Sequence, residues 1–239
     1  MAGRLLDRQA KLLEYLTSGG AIFGDKRDVP LDPSLQGIDR GMLDLEARFS
    51  HEKRMEKIVA VFAKTFVLLG ADAGDPVREF ADVCPPQDIG RIENARQFFD
   101  FLTAREKRTQ LPLPHLLDVA ACELACAEAR LRAGAEEQSE TEMVDAQRPA
   151  VRRHPGIVLL SAAFDIRAIF ESNDRRVPAR RDTPLAIAWI SGEPQILELP
   201  AEVFDLLTAL ENWTALDELP GADELIADLT QSRILERRG

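Results

Sequence analysis

His115, Cys122 and Cys126 are the residues whose types and spacing come nearest to a reactive set. They stand seven and four residues apart, and on a helix of about 3.6 residues per turn that brings all three near one face. Imidazole and thiolate are ligands for zinc or iron, but no fourth ligand accompanies them. The same spacing describes small thiols packed inside a helix, which needs no metal. A nucleophilic Cys–His pair calls for a thiol at a helix N-terminus and a glycine-rich oxyanion turn, and neither is present. Cys84, alone before Pro85, adds nothing to either set.

The acidic side chains fall mainly on the polar sides of helical patterns, where solvation is their ordinary role. Neither the GxxxxGK[ST] nor the GxGxxG arrangement occurs. The sequence therefore offers no catalytic residues and no metal set of its own. A net charge of −11 and a pI near 4.9 oppose attraction to phosphate backbones and anionic membranes. Arg175, Arg176, Arg180 and Arg181 form a local basic cluster, yet residues 151–239 hold ten basic against fifteen acidic side chains. The three cysteines do not make a disulfide framework. The N-terminal stretch MAGRLLDRQAKLLEYL is amphipathic and unlike a signal peptide, so the expected location is the cytoplasm.

The elements that must position these residues divide the chain in three. Residues 1–133 read as an all-α bundle. A leucine stripe runs from Gly3 to Thr17, and a Gly-, Asp- and Pro-rich loop extends to Gln36. One long helical run covers Ile38–Leu69, shorter helices cover Val77–Val83 and Gln87–Arg105, and a buried helix covers His115–Ala133. Residues 134–150, with GAEEQSETE, read as an acidic linker. Residues 151–239 begin with two β-rich runs in His154–Phe170 and a surface loop over Glu171–Asp182.

The end of the chain is the most patterned part. Leu185–Ile190 and Gln195–Leu199 flank a reversal at Ser191-Gly192-Glu193-Pro194. Pro200 opens a helix through Leu210, Thr214 caps a one-turn helix to Leu219, and Asp223 starts a third helix. A hairpin followed by three short helices is a winged-helix plan, so the fold expected overall is α+β. A winged helix often reads DNA, but Thr214–Asp228 is acidic where a DNA-reading helix needs donors. The other use is to accept an extended peptide as an added strand. Gln195, Ile196, Leu197, Glu198 and Leu199 would then be the edge, with Leu225, Ile226 and Leu229 the opposing wall. Those leucines equally suit the small domain's own core.

LPAEVFDLLTAL, the following TALDEL and the helix ending near ILE resemble the recognition elements that bind leader peptides in ribosomally made, post-translationally modified peptide pathways. His154-Pro155 with IVLLSAAFDIRAIF, and LPHLLDVA at residues 113–120 with Glu123, resemble two-domain accessory subunits. Those subunits partner multinuclear non-haem iron-dependent oxidative enzymes. The likeness covers Ile89 to Glu236. It implies a non-catalytic subunit whose helical domain docks on the enzyme around His115, Asp118 and Glu123, and whose C-terminal domain holds the precursor leader. The enzyme then modifies a cysteine of the precursor, as in 3-thiaglutamate-type biosynthesis. The iron would belong to the partner, with no cofactor in this chain. Relatives of this layout also carry a DNA-binding label, and a winged-helix transcriptional regulator is the alternative.

Overall fold

The computed structural model describes residues 2–24, 31–136, 148–172 and 177–239. It is a mixed helix-and-sheet, α+β protein that divides into two compact units, Met1–Ala120 and Ala121–Gly239. The expected linker falls largely outside the described residues, as do Arg175 and Arg176. No described helix is long and apolar enough to cross a membrane.

The first unit is helical. Helix α1 (Ala2–Leu16) leads through α2 (Gly19–Phe23) to α3 (Arg40–Val59). Asp39 accepts from the Met42 N–H and caps α3. The leucine stripe of α1 is only partly covered: Leu5, Leu6 and Leu13 remain exposed. The single helical run expected over Ile38–Leu69 is broken. α3 ends at Val59 and α4 (Ala63–Leu69) starts anew, because Phe62 leaves helical geometry (φ −104°, ψ 41°) and is fully buried. With the chain turned there, Val61 and Phe62 both lie inside.

Helices α5 (Gly74–Val83) and α6 (Arg91–Arg108) complete the aromatic core. Phe98 of α6 lies 5.6 Å from Phe62, 5.5 Å from Phe66 and 5.1 Å from Phe80 between ring centroids, within the usual range for aromatic pairs. Helix α7 (Leu116–Glu136) follows the Pro-rich break, and the division between the units falls inside it, at Ala120.

The second unit holds two antiparallel sheets. Strand β1 (Ala150–Arg153) is the centre of one. Strand β2 (Val158–Phe164) begins the other, and helix α8 (Arg167–Ser172) follows it. The second β-rich run of His154–Phe170 is thus helical. Strand β3 (Arg180–Ile190) begins inside the segment expected as a loop and pairs with both β2 and β4 (Glu193–Glu198). Then come α9 (Ala201–Ala209), β5 (Thr214–Ala215), a 3₁₀ turn at Leu216–Glu218, α10 (Asp223–Gln231) and β6 (Leu235–Arg238). The one-turn helix expected from Thr214 is a two-residue strand and that 3₁₀ turn. Thr214 is extended because it pairs with Val151 of β1. The sheet orders are β5-β1-β6 and β2-β3-β4.

One core serves α9, α10 and the β5-β1-β6 sheet. Val151, Leu207, Leu210, Ile226, Leu229 and Leu235 are buried together, with Leu159 of β2 and Leu199 packed against them. Leu159 and Leu199 share one face of the β2-β3-β4 sheet with Ala186, as the register requires. The opposite face carries the buried Thr183, Leu185 and Ile187, and ends at Trp189, over which Arg130 of α7 lies at 5.1 Å.

Candidate functional site

The edge is built by its turn. Ser191 and Gly192 both have positive φ, 53° and 85°, the type I′ geometry whose twist suits a two-residue hairpin. The reversal is therefore Ser191-Gly192 alone, and Glu193-Pro194 belong to β4. With Ile190 opposite Glu193, the pairs at 190/193, 186/197 and their alternates face each other through backbone hydrogen bonds. The Leu199 N–H donating to the Pro184 carbonyl at 2.9 Å fixes the same phase.

That phase decides what β4 presents outward. Glu193, Gln195 and Leu197 direct their backbone groups to β3, so Pro194, Ile196 and Glu198 direct theirs away. Among the described residues no strand pairs with β4 on that side. The free rim therefore offers two donors, from Ile196 and Glu198, and three carbonyl acceptors. Pro194 sits where its missing N–H takes nothing from the ladder, the position an edge strand allows it. Pro184 is accommodated in the central strand for a similar reason: its absent donor lies at the last rung, where the chain leaves for α9.

Side chains give this edge two characters. Leu197, 44% exposed, and Ile190, also exposed, lie on one face of the hairpin with Gln195. On the other, Glu198 joins an ion-pair group. Arg181 reaches Glu198 at 2.5 Å and Asp165 at 2.6 Å, and Arg167 reaches Asp165 at 2.9 Å and Glu198 at 2.7 Å. Arg167 and then Arg181 hold the Asp165 carboxyl well below its ordinary range. Arg181, expected as part of a basic cluster, is thus compensated by carboxylates.

The opposing wall is not open. Ile226 is 3% and Leu229 8% exposed, both inside the core, and Leu225 is half-buried against it. Their spacing on α10 points them toward Val151 and Leu207, so they support the domain. Leu199 is likewise half-buried in that core. Of the eight residues assigned to peptide contact, Gln195 and Leu197 present exposed side chains, while Ile196 and Glu198 present their backbone.

The residues expected at the enzyme interface are largely buried in this chain. His115 is 1% and Glu123 7% exposed, and Asp118 is half-buried. Burial lowers the His115 pKa, favouring the neutral ring. Cys122 and Cys126 are both free thiols. Hydrogen bonding to Cys126 and burial push the Cys122 thiol up, and Cys126, which receives that bond, is the sulfur of the pair that ionises first. Among the described residues no group of three or more His, Cys, Asp or Glu side chains is placed to hold a metal ion.

A feature the sequence did not announce lies in the first unit. Arg54 of α3 is buried, with Nε on Asn94 Oδ1 at 2.9 Å, one terminal nitrogen on the Cys84 carbonyl at 2.7 Å and the other on Gln97 Oε1 at 2.6 Å. Its guanidinium lies 4.2 Å from the Phe80 ring centroid. Burial lowers its pKa to about 10. The network straps the Cys84-Pro85 segment to α6, and Gln97 donates to the Pro85 carbonyl. Between that segment and α6 runs a cleft of ≈ 720 Å³ lined by Val83, Cys84, Pro85, Arg96, Asp100 and Arg108 among others. Only Arg54's helical register, on the same face as Leu43, Ala47 and Ile58, signalled its burial in advance.

No family model and no curated protein matches the chain.

Proposed function

We propose that this chain is a non-catalytic, cytoplasmic accessory subunit that binds the leader of a ribosomal precursor peptide. It presents the precursor's cysteine to a separate iron-dependent modifying enzyme, with a winged-helix domain as the peptide-binding part. The observation that carries the reading is the unpaired rim of β4, with two donors and three acceptors beside the exposed Leu197. A peptide lying along it gains main-chain hydrogen bonds, and Leu197 and Ile190 sort its side chains. Holding a flexible precursor by its leader raises the effective concentration of its reactive end at the enzyme, so no chemistry is required of the holder.

The acidic α10 supports a peptide over a duplex. Asp223, Glu224 and Asp228 are exposed on the helix that a DNA-reading winged helix would place in the groove. The test is isothermal titration of the purified chain with the small precursor encoded beside its gene. Binding at micromolar affinity or better is expected, with at least tenfold weakening in Leu197→Asp. Absence of heat at several temperatures, or unchanged affinity in the variant, counts against the reading.

A further inference from the structure

The outer face of the β5-β1-β6 sheet concentrates cations around one indole. Val151 and Leu235 turn inward to the core, so the alternate residues, Ala150 and Arg152 on β1 and Glu236 and Arg238 on β6, share the other face. Their pairs, Ala150 with Arg238 and Arg152 with Glu236, are set by the register. Trp213, one residue before β5, lies beside them. The guanidinium carbons of Arg152 and Arg238 stand 4.7 Å and 4.6 Å from its ring centroid. Two like charges thus gather on one aromatic ring.

Among the described residues one carboxylate answers them. Glu236 takes Arg152 at 2.6 Å and lies 3.8 Å from the His154 ring. Arg238 is paired with no carboxylate among the described residues, and its buried Nε has no hydrogen-bond partner there. A guanidinium held on an indole, with no carboxylate on it among the described residues, is suited to an incoming carboxylate. We propose that this face binds carboxylate side chains of an acidic peptide, Arg238 being the primary contact and Trp213 the platform.

A long phosphate polymer fits less well. Beyond the patch it would run onto Glu211, Asp217 and Glu218, exposed carboxylates within three residues of β5 in the chain. A short segment with a few carboxylates meets the cations alone. These observations are separate from the β4 rim, and the two sites are distinguishable by their variants.

The protein has two tryptophans, so ¹⁵N-labelled full-length chain gives two indole N–H signals, assigned with Trp189→Phe. The probe is an acetylated, amidated hexapeptide of alternating Glu and Ala, with a Gln-for-Glu control and a ten-residue oligothymidylate. A saturable shift of the Trp213 indole, but not of Trp189, is expected with the Glu peptide only. The affinity should fall at least tenfold in Arg238→Gln and on raising NaCl from 0.05 to 0.3 M, little in Arg237→Gln, and not at all in Leu197→Asp. If Arg238→Gln disturbs β6, seen in the amide spectrum, Arg238→Lys replaces it, with an intermediate loss expected. No Trp213 shift, equal losses in the 237 and 238 variants, or tighter Trp213-dependent binding of the oligothymidylate overturns the proposal.

Discussion

Replacing Ile196 by proline tests the β4 rim with little else changed. The Ile196 N–H points away from β3, so the ladder of the hairpin loses no hydrogen bond, and Pro194 already occupies the equivalent outward position two residues earlier. The native cost is confined to part of a half-buried side chain opposite Ile187, about 1 kcal/mol. A guest strand loses more. One of two donors disappears, and a ring methylene meets the guest carbonyl that the donor would have satisfied. The lost bond and the orphaned acceptor together amount to roughly 1.5 to 3 kcal/mol, a weakening of about ten- to a hundredfold. Leu197→Pro provides the contrast, because its N–H belongs to the pair with Ala186 and its loss breaks the hairpin itself.

The assay is titration of the precursor leader into wild type and Ile196→Pro, with near-ultraviolet circular dichroism and urea midpoints as controls for the fold. A variant that stays folded yet binds the leader as wild type does would refute strand addition at β4. Equal weakening of an unrelated peptide would show that the variant disturbs the surface in general, and would refute the assignment as well.

Four further outcomes are expected. Ser191→Asn should raise the hairpin's stability by about 0.5 kcal/mol, since asparagine tolerates the positive φ that Ser191 adopts; a lower urea midpoint would contradict the type I′ assignment. Arg54→Met should destabilise the first unit by about 3 kcal/mol, because buried Asn94 loses its donor while the Cys84 carbonyl and Gln97 recover water; calorimetry showing a change under 1 kcal/mol would remove the network's structural role. The His51 and His115 pKa values are both lowered from 6.5, by burial first. The unfolded chain therefore binds protons that the folded one refuses, and stability falls as pH drops through and below 6.5; His51→Gln with His115→Gln should flatten that slope in urea titrations. Asp165 is depressed instead, so its share of stability is complete above about pH 4 and is lost on further acidification; Asp165→Asn should remove that last acid-dependent part.

The helices were legible where one apolar face repeated, as in α3 and α6, and the β3–β4 hairpin was legible from Ser191-Gly192 between β-rich runs. What escaped was set by distant partners. The break at Phe62 lies in that residue's non-helical backbone, which a periodicity count of apolar side chains reads as continuation. Ala150–Arg153 and Leu235–Arg238 are too short and too charged to announce strands, yet each supplies one inward apolar residue, Val151 and Leu235, and the ladder between them does the rest. Leu225, Ile226 and Leu229 follow helical spacing, and that spacing cannot tell a core from a groove. In the sequence the Trp213 face is marked by nothing more than the double arginines in AVRRH and LERRG.

The two surfaces of the second unit differ in what they ask of a guest. The β4 rim asks for an extended backbone and discriminates weakly, since hydrogen bonds to N–H and C=O are the same for every residue. The Trp213 face asks for charge and is indifferent to backbone form. A single peptide that used both would have its register set by its carboxylates and its affinity by its main chain. Salt would then weaken binding without abolishing it, whereas Ile196→Pro would weaken binding equally at all ionic strengths. Combining the proline with Arg238→Gln separates the cases. Losses that add in free energy mark two contacts on one ligand, because independent contacts at separated sites are additive. If instead Arg238→Gln leaves leader affinity unchanged while still losing the acidic hexapeptide, the face serves a different acidic partner and the rim alone holds the leader.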